Sequence, residues 1–86
     1  MPVVFRDQGI RFHFFSNEGS PREPIHIHAE RSGAEAKLWL YPVVRIAASS
    51  GFDSRQQVLL VESVENNREL IVKAWHEFFG GDDSLR

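Results

Sequence analysis

The chain predicts a small α+β domain: roughly a four-stranded, largely antiparallel sheet built of β-hairpins, followed by a long C-terminal amphipathic helix packed on one face. Three observations carry that prediction. Apolar residues recur at a period of two in the first half and near 3.6 in the second. No repeat or low-complexity linker separates the halves, which is the segregated pattern of an α+β fold. The length, 86 residues, allows one domain, expected over residues 1–81 with a frayed tail at 82–86.

Val3 to Arg6 and Ile10 to Ser16 read as strands around Asp7-Gln8-Gly9, a turn in which glycine is available for positive φ, so they should pair as a hairpin. Ile10, Phe12 and Phe14 then share one face and Arg11, His13 and Phe15 the other. Asn17 to Glu23 is a loop rich in turn formers, and Pro24 stands at the entrance of the next strand. Strands at about Pro24 to Glu30 and Glu35 to Tyr41 flank Ser32-Gly33, where either a two-residue or a four-residue turn gives the same pairing parity. That register sets Ile25 against Leu40, Ile27 against Leu38 and Ala29 against Ala36, giving one wholly apolar face. On the other face His26 meets Trp39, His28 meets Lys37 and Glu30 meets Glu35.

Pro42 ends the sheet pattern, and Val43 to Ile46 reads as a short edge strand or an irregular connection before Ser49-Ser50-Gly51-Phe52. Asp53 or Ser54 suits a helix N-cap. From about Ser54 to Phe79, Leu60, Val61, Val64, Ile71, Ala74, Trp75, Phe78 and Phe79 gather on one side at ~100° per residue. This is one long helix, or two nearly collinear ones broken near Asn66-Asn67, stopped by Gly80-Gly81. An unbroken helix would run about 39 Å against strands of nearer 20 Å. Part of it should then overhang the sheet, which points to a homodimer or a partner protein.

A chain of this length buries only about 60 to 65% of its unfolded surface, and at roughly 0.05 to 0.15 kcal/mol per residue the fold is worth about 4 to 13 kcal/mol. Any chemistry should therefore sit in a shallow groove or at an interface, since a large enclosed cavity would be too costly. With no cysteine, a disulfide framework and thiolate metal sites are excluded, and a reducing cytoplasm fits best. The start Met1-Pro2-Val3-Val4-Phe5-Arg6 has no signal-peptide pattern, and no apolar run approaches the ~20 residues that cross a bilayer, so no membrane association is expected. The net charge of -2 gives no global basic field, which disfavours nucleic acid as a partner. A nucleic-acid-binding reading would need Arg6, Arg11, Arg31 and Lys37 to form one basic surface beside Trp39; Arg22 belongs with Arg6, Arg11 and Arg31 to a local arginine patch, and Trp39 and Tyr41 invite base stacking.

His26-Ile27-His28 is the motif that most suggests chemistry, because residues two apart on a strand project to the same side. With His13 these imidazoles are candidate ligands of a divalent transition metal, although no cofactor is required by the sequence. His26 and His28 are also candidate general acid and base on a phosphodiester, with Lys37 offsetting phosphate charge. A matching second His-x-Thr/Ser/His element, a nucleophile elbow, a P-loop and a paired-acid motif are all lacking, so whether the chain is an enzyme stays open. Arg11, His26, His28, Lys37, Trp39, Tyr41 and His76 form the candidate binding set, while Glu62, Glu65 and Glu69 read as a solvated helix flank.

Taken in order, Val4-Phe5-Arg6, Arg11-Phe12 with Ser16-Asn17-Glu18, Pro24 with His26-Ile27-His28, Gly33-Ala34-Glu35-Ala36-Lys37-Leu38-Trp39-Leu40 and Trp75-His76-Glu77-Phe78-Phe79 resemble the bacterial family called domain of unknown function 4160 (DUF4160). In that family the strand motif usually looks like Glu-Pro-Pro-His-Val/Ile-His; Ile25 departs at the second proline, and the loop before it carries extra residues. The resemblance implies a small cytosolic protein, often encoded beside another short protein in an arrangement like a toxin and antitoxin pair, with no established activity. It marks His26, His28, Lys37, Trp39, Trp75 and His76 as signature positions. The resulting expectation is an interaction module of a two-gene regulatory or toxin-antitoxin-like system. A histidine- or metal-dependent phosphodiesterase or ribonuclease, and a nucleic-acid-binding domain, are the alternatives.

Overall fold

A computed structural model describes residues 3–15 and 23–79. Strands β1 (Val3–Asp7), β2 (Ile10–His13), β3 (His26–Arg31), β4 (Ala34–Trp39) and β5 (Arg45–Ser50) precede helices α1 (Ser54–Asn66) and α2 (Arg68–Phe79). The strands form one five-stranded sheet in chain order, every neighbouring pair antiparallel. Ser16 to Arg22, with most of the expected loop, and the expected helix stop and tail at 80–86 lie outside the described residues.

Two tight turns set the sheet. Gln8 and Gly9, and again Ser32 and Gly33, all have positive φ, which is the two-residue hairpin geometry that matches strand twist. Gly33, at φ +87°, takes the second of those positions without the Cβ penalty that other residues pay there. The Ser32-Gly33 turn brings Arg31 against Ala34 and hence Ile27 against Leu38, Ala29 against Ala36, His26 against Trp39, His28 against Lys37 and Glu30 against Glu35. This is the register expected from the alternation. The Ile25 carbonyl, accepting from the Leu40 N–H at 3.3 Å, extends the pairing one step further.

The sheet has five strands where about four were expected. Arg45–Ser50 pairs fully along β4, with a bulge opposite Lys37 and Leu38. Its residues are exposed apart from Ile46, so nothing in Ala47-Ala48-Ser49-Ser50 shows the apolar alternation by which a half-buried strand is read.

Of the two expected arrangements, one long helix or two broken near Asn66-Asn67, the chain has two helices. Asp53 caps α1 through a reciprocal box: its Oδ1 accepts the Gln56 N–H at 2.8 Å, and Gln56 Oε1 accepts the Asp53 N–H at 3.0 Å. Asn67, at φ −117° and ψ 18°, interrupts the run. Its side-chain Nδ2 donates to the Ser63 carbonyl at 2.8 Å, and its own carbonyl accepts the Ile71 N–H at 2.9 Å, so one residue closes α1 and opens α2. The 13- and 12-residue pieces are about 20 Å and 18 Å long. Each is close to the strand length on its own, so the length argument for a dimer or partner, made for an unbroken helix, does not carry over to these two.

The core lies between the apolar face of the sheet and the helices. Phe12, Phe14, Ile27, Leu38 and Leu40 are buried there against Leu60, Val64, Ile71 and Trp75. Phe5 stacks on Phe12 with ring centroids 4.4 Å apart, and the Ser63 hydroxyl donates to Asp7 Oδ2 at 2.5 Å, tying α1 to the end of β1. Among the described residues no helix is long and apolar enough to cross a membrane.

Candidate functional site

On the face away from the core, the registers align side chains in rows across the strands. His13 pairs with His28, His28 with Lys37 and Lys37 with Ala48. Toward the turns lies the row Arg11, Glu30, Glu35 and Ser50; toward the other end lie His26, Trp39 and Arg45. The histidine face therefore exists as the alternation predicts. It is not an open face.

His26 is completely buried and His13 is 4% exposed. The His26 Nδ1 lies 2.9 Å from the Pro24 carbonyl oxygen; a carbonyl only accepts, so this nitrogen carries the proton and donates. The ring sits edge-on to Trp39 and Trp75, centroids 5.5 Å and 5.3 Å away. A side chain held in this way packs the fold and cannot meet a substrate. Of the two histidines expected to act together on a phosphodiester, His26 is thus fully buried against Trp39 and Trp75, while His28 is half-buried.

Two cations on this face, Lys37 and Arg11, have carboxylate partners. Lys37 Nζ lies 3.0 Å from Glu23 Oε1 and 4.5 Å from the Trp39 ring centroid, and Arg11 is ion-paired with Glu30 across β2 and β3. Glu23 Oε1 also stands 3.8 Å from His26 Nδ1. Arg31 lies beside Gly9, at the turn end of the sheet with Arg6 and Arg11, whereas Trp39 is at the far end of β4. Tyr41 is 48% exposed and takes the Arg68 guanidinium over its ring at 5.6 Å. Among the described residues the arginines and aromatics do not gather into one basic surface beside Trp39. Arg22 lies outside the described residues.

Among the described residues no group of three His, Asp or Glu side chains is arranged to hold a metal ion. The rings of His13 and His28 stack at 5.9 Å and those of His26 and His28 meet edge-on at 5.2 Å. His76 is exposed on α2 while its neighbour Trp75 is buried, and it lines neither hollow described below.

What remains on the outer face is a shallow trough. Two hollows of about 250 Å³ and 290 Å³ share Phe15, His28, Glu35 and Ala36. The first extends to Arg11, His13 and Glu30 and the second to Lys37, Ala48 and Ser50. His28 is the one titratable imidazole both hollows share, with Phe15 edge-on to it at 4.4 Å. The β5 wall of this trough was invisible in the sequence because β5 itself was.

A second concave surface was not expected. Val3 and Val4 of β1, Phe14, and Leu70, Ala74, Glu77 and Phe78 of α2 line a cleft of about 360 Å³. Three of its apolar side chains stand in solvent: Val3 at 37%, Leu70 at 46% and Phe78 at 42% exposure. Phe78 was expected to face the core. It lies on the flank of α2 instead, and Phe14 receives Trp75 and Phe79 closer in, at 5.3 Å and 5.7 Å. The spacing 70, 74, 78 was the available signal, since residues four apart share a helix stripe.

Compared with known proteins, residues 9–76 match the family model described as Domain of unknown function (DUF4160). No curated protein and no solved structure matches the chain. The match covers well over half of the sequence, and the chain belongs to the DUF4160 family.

Proposed function

We propose that this DUF4160 protein is an interaction module of a two-gene regulatory or toxin-antitoxin-like pair, and that it docks its partner, a short protein encoded beside it, through the cleft between β1 and α2. The observation that carries the reading is the exposure of Val3, Leu70 and Phe78 around one hollow. Large apolar side chains scattered singly need no explanation, but several converging on a concave site mark an interaction surface. Burying such a side chain in full contributes roughly 1.5 to 3 kcal/mol. Completing the burial of these half-exposed ones would contribute on the order of 1 kcal/mol each. The outer face supports the reading by contrast: its lysine and one of its arginines are already ion-paired, and one of its three histidines packs the fold.

Native mass spectrometry of the protein co-expressed with its chromosomal neighbour tests this. A complex that survives His28→Ala and is lost with Leu70→Asp is the expected result; a chain that stays free in every preparation contradicts it.

A second reading rests on the trough. His28 beside Lys37 is a minimal general-acid or base site on a phosphodiester, with Phe15 lining the same hollow. It predicts RNA hydrolysis abolished by His28→Ala, and hydrolysis indifferent to that change removes it.

A further inference from the structure

The chemistry of the β1 and α2 cleft defines what it takes. We propose that its occupant is an extended segment of a partner protein, which adds to the free edge of β1 as a sixth strand, sends alternate apolar side chains into the cleft and meets Glu77 with a basic side chain. The inference rests on the interaction reading above and gives that reading its mode of binding.

Strand β1 closes one side of the sheet and, among the described residues, pairs with β2 alone. The main-chain groups on its other edge are therefore available to a further strand, the way extended peptides join exposed sheet edges. Beside that edge runs the α2 stripe Leu70, Ala74 and Phe78. Residues four apart on a helix rise about 6 Å per step, whereas alternate residues of a strand rise about 6.7 Å. An added strand running along the stripe would set successive inward side chains between its successive turns. The small Ala74 at its middle leaves room for the largest of them. A hollow of about 360 Å³ lies in the range of about 300 to 1,000 Å³ usual for ligand clefts.

Charge selects the kind of segment. Among the described residues Glu77 is the one charged side chain lining the cleft, so a lysine or arginine at that end is favoured and an acidic residue repelled. The same term argues against a second copy of this chain. A second β1 added antiparallel, Phe5 opposite Phe5, would bring its Asp7 opposite Val3, at the wall that Glu77 shares. Asp7 also faces the helices, where it accepts from Ser63.

The test uses the full chain and two fluorescein-labelled peptides, Val-Thr-Val-Thr-Val-Thr-Lys and Val-Thr-Val-Thr-Val-Thr-Glu, in which the charged residue shares the valine face, read by fluorescence anisotropy, with thermal melts confirming that each variant is folded. The lysine peptide should bind up to about fivefold tighter than the glutamate peptide, the range of an exposed charge pair. Glu77→Lys should reverse that order, and Leu70→Asp and Phe78→Asp should each weaken binding tenfold or more. Equal binding of the two peptides, binding untouched by Leu70→Asp, or no binding at all overturns the proposal. A concentration-dependent dimer in analytical ultracentrifugation that Leu70→Asp abolishes would also overturn it, by assigning the cleft to a second copy. If the neighbour-encoded protein binds through Leu70 while neither peptide does, the interaction reading stands and strand addition fails; if nothing binds, both fail.

Discussion

Replacing His26 and His28 by alanine, one at a time, should give very different proteins, although the two are equivalent in the motif His26-Ile27-His28. His26 has no exposed surface and is packed edge-on between Trp39 and Trp75, with Nδ1 bonded to the Pro24 carbonyl at 2.9 Å. Truncating a buried ring costs the lost transfer energy and leaves a cavity, together about 3 to 5 kcal/mol for an aromatic side chain. An imidazole is smaller and more polar, and the exposed Pro24 can turn its carbonyl to water, so about 2 to 4 kcal/mol is expected for His26→Ala. With a shift of about 4 to 8 °C per kcal/mol in a domain of this size, Tm should fall by roughly 8 to 30 °C. His28→Ala, at a half-buried trough position, should cost about 1 kcal/mol or less. Paired thermal and urea melts followed by circular dichroism measure both. Equal losses, or a His26→Ala protein within about 0.5 kcal/mol of wild type, would refute the assignment of His26 to packing.

Other changes probe the frame. Gly51 has φ +89°, and a Cβ there would meet Ala34 Cβ at 2.9 Å and Cα at 3.0 Å; Gly51→Ala should lower stability by about 1 to 3 kcal/mol in a urea titration, through strain and overpacking together. Asp53→Ala removes the reciprocal cap of α1 and should cost about 1 kcal/mol, read as a lower denaturation midpoint, with Asp53→Ser largely restoring it. Ser63→Ala leaves the Asp7 carboxylate without its hydroxyl donor; the expected loss is about 1.5 to 3 kcal/mol, with faster amide exchange where β1 meets α1.

Much of the sheet was legible because it rests on local rules. The Ser32-Gly33 turn and the alternation from Ile25 to Leu40 fix the β3 and β4 register, so the histidines fall opposite Trp39 and Lys37. Strand β5 was not legible, because an exposed edge strand of alanine and serine buries too little to leave a period in its sequence. The helix break at Asn67 was half legible: asparagine is a poor interior helix residue, but its bond to the Ser63 carbonyl is a matter of geometry. The burial of His26 was hidden for a different reason. Its cover, Trp75, lies far along the chain, and the alternation of a strand says which side a residue takes but nothing about what lies over it. Phe78 misled for the same reason, since a helix stripe about 100° wide leaves its flanks open to either fate.

Hydrogen exchange followed by mass spectrometry, on the protein free and then bound to the product of the adjacent gene, would locate the docking surface. Slowed exchange on binding in residues 3–7 and 68–79, with the trough strands unchanged, is the predicted pattern. Protection confined to residues 26–39 and 45–50, leaving β1 and α2 as they are in the free protein, would place the partner on the outer face of the sheet and contradict the interaction site described above.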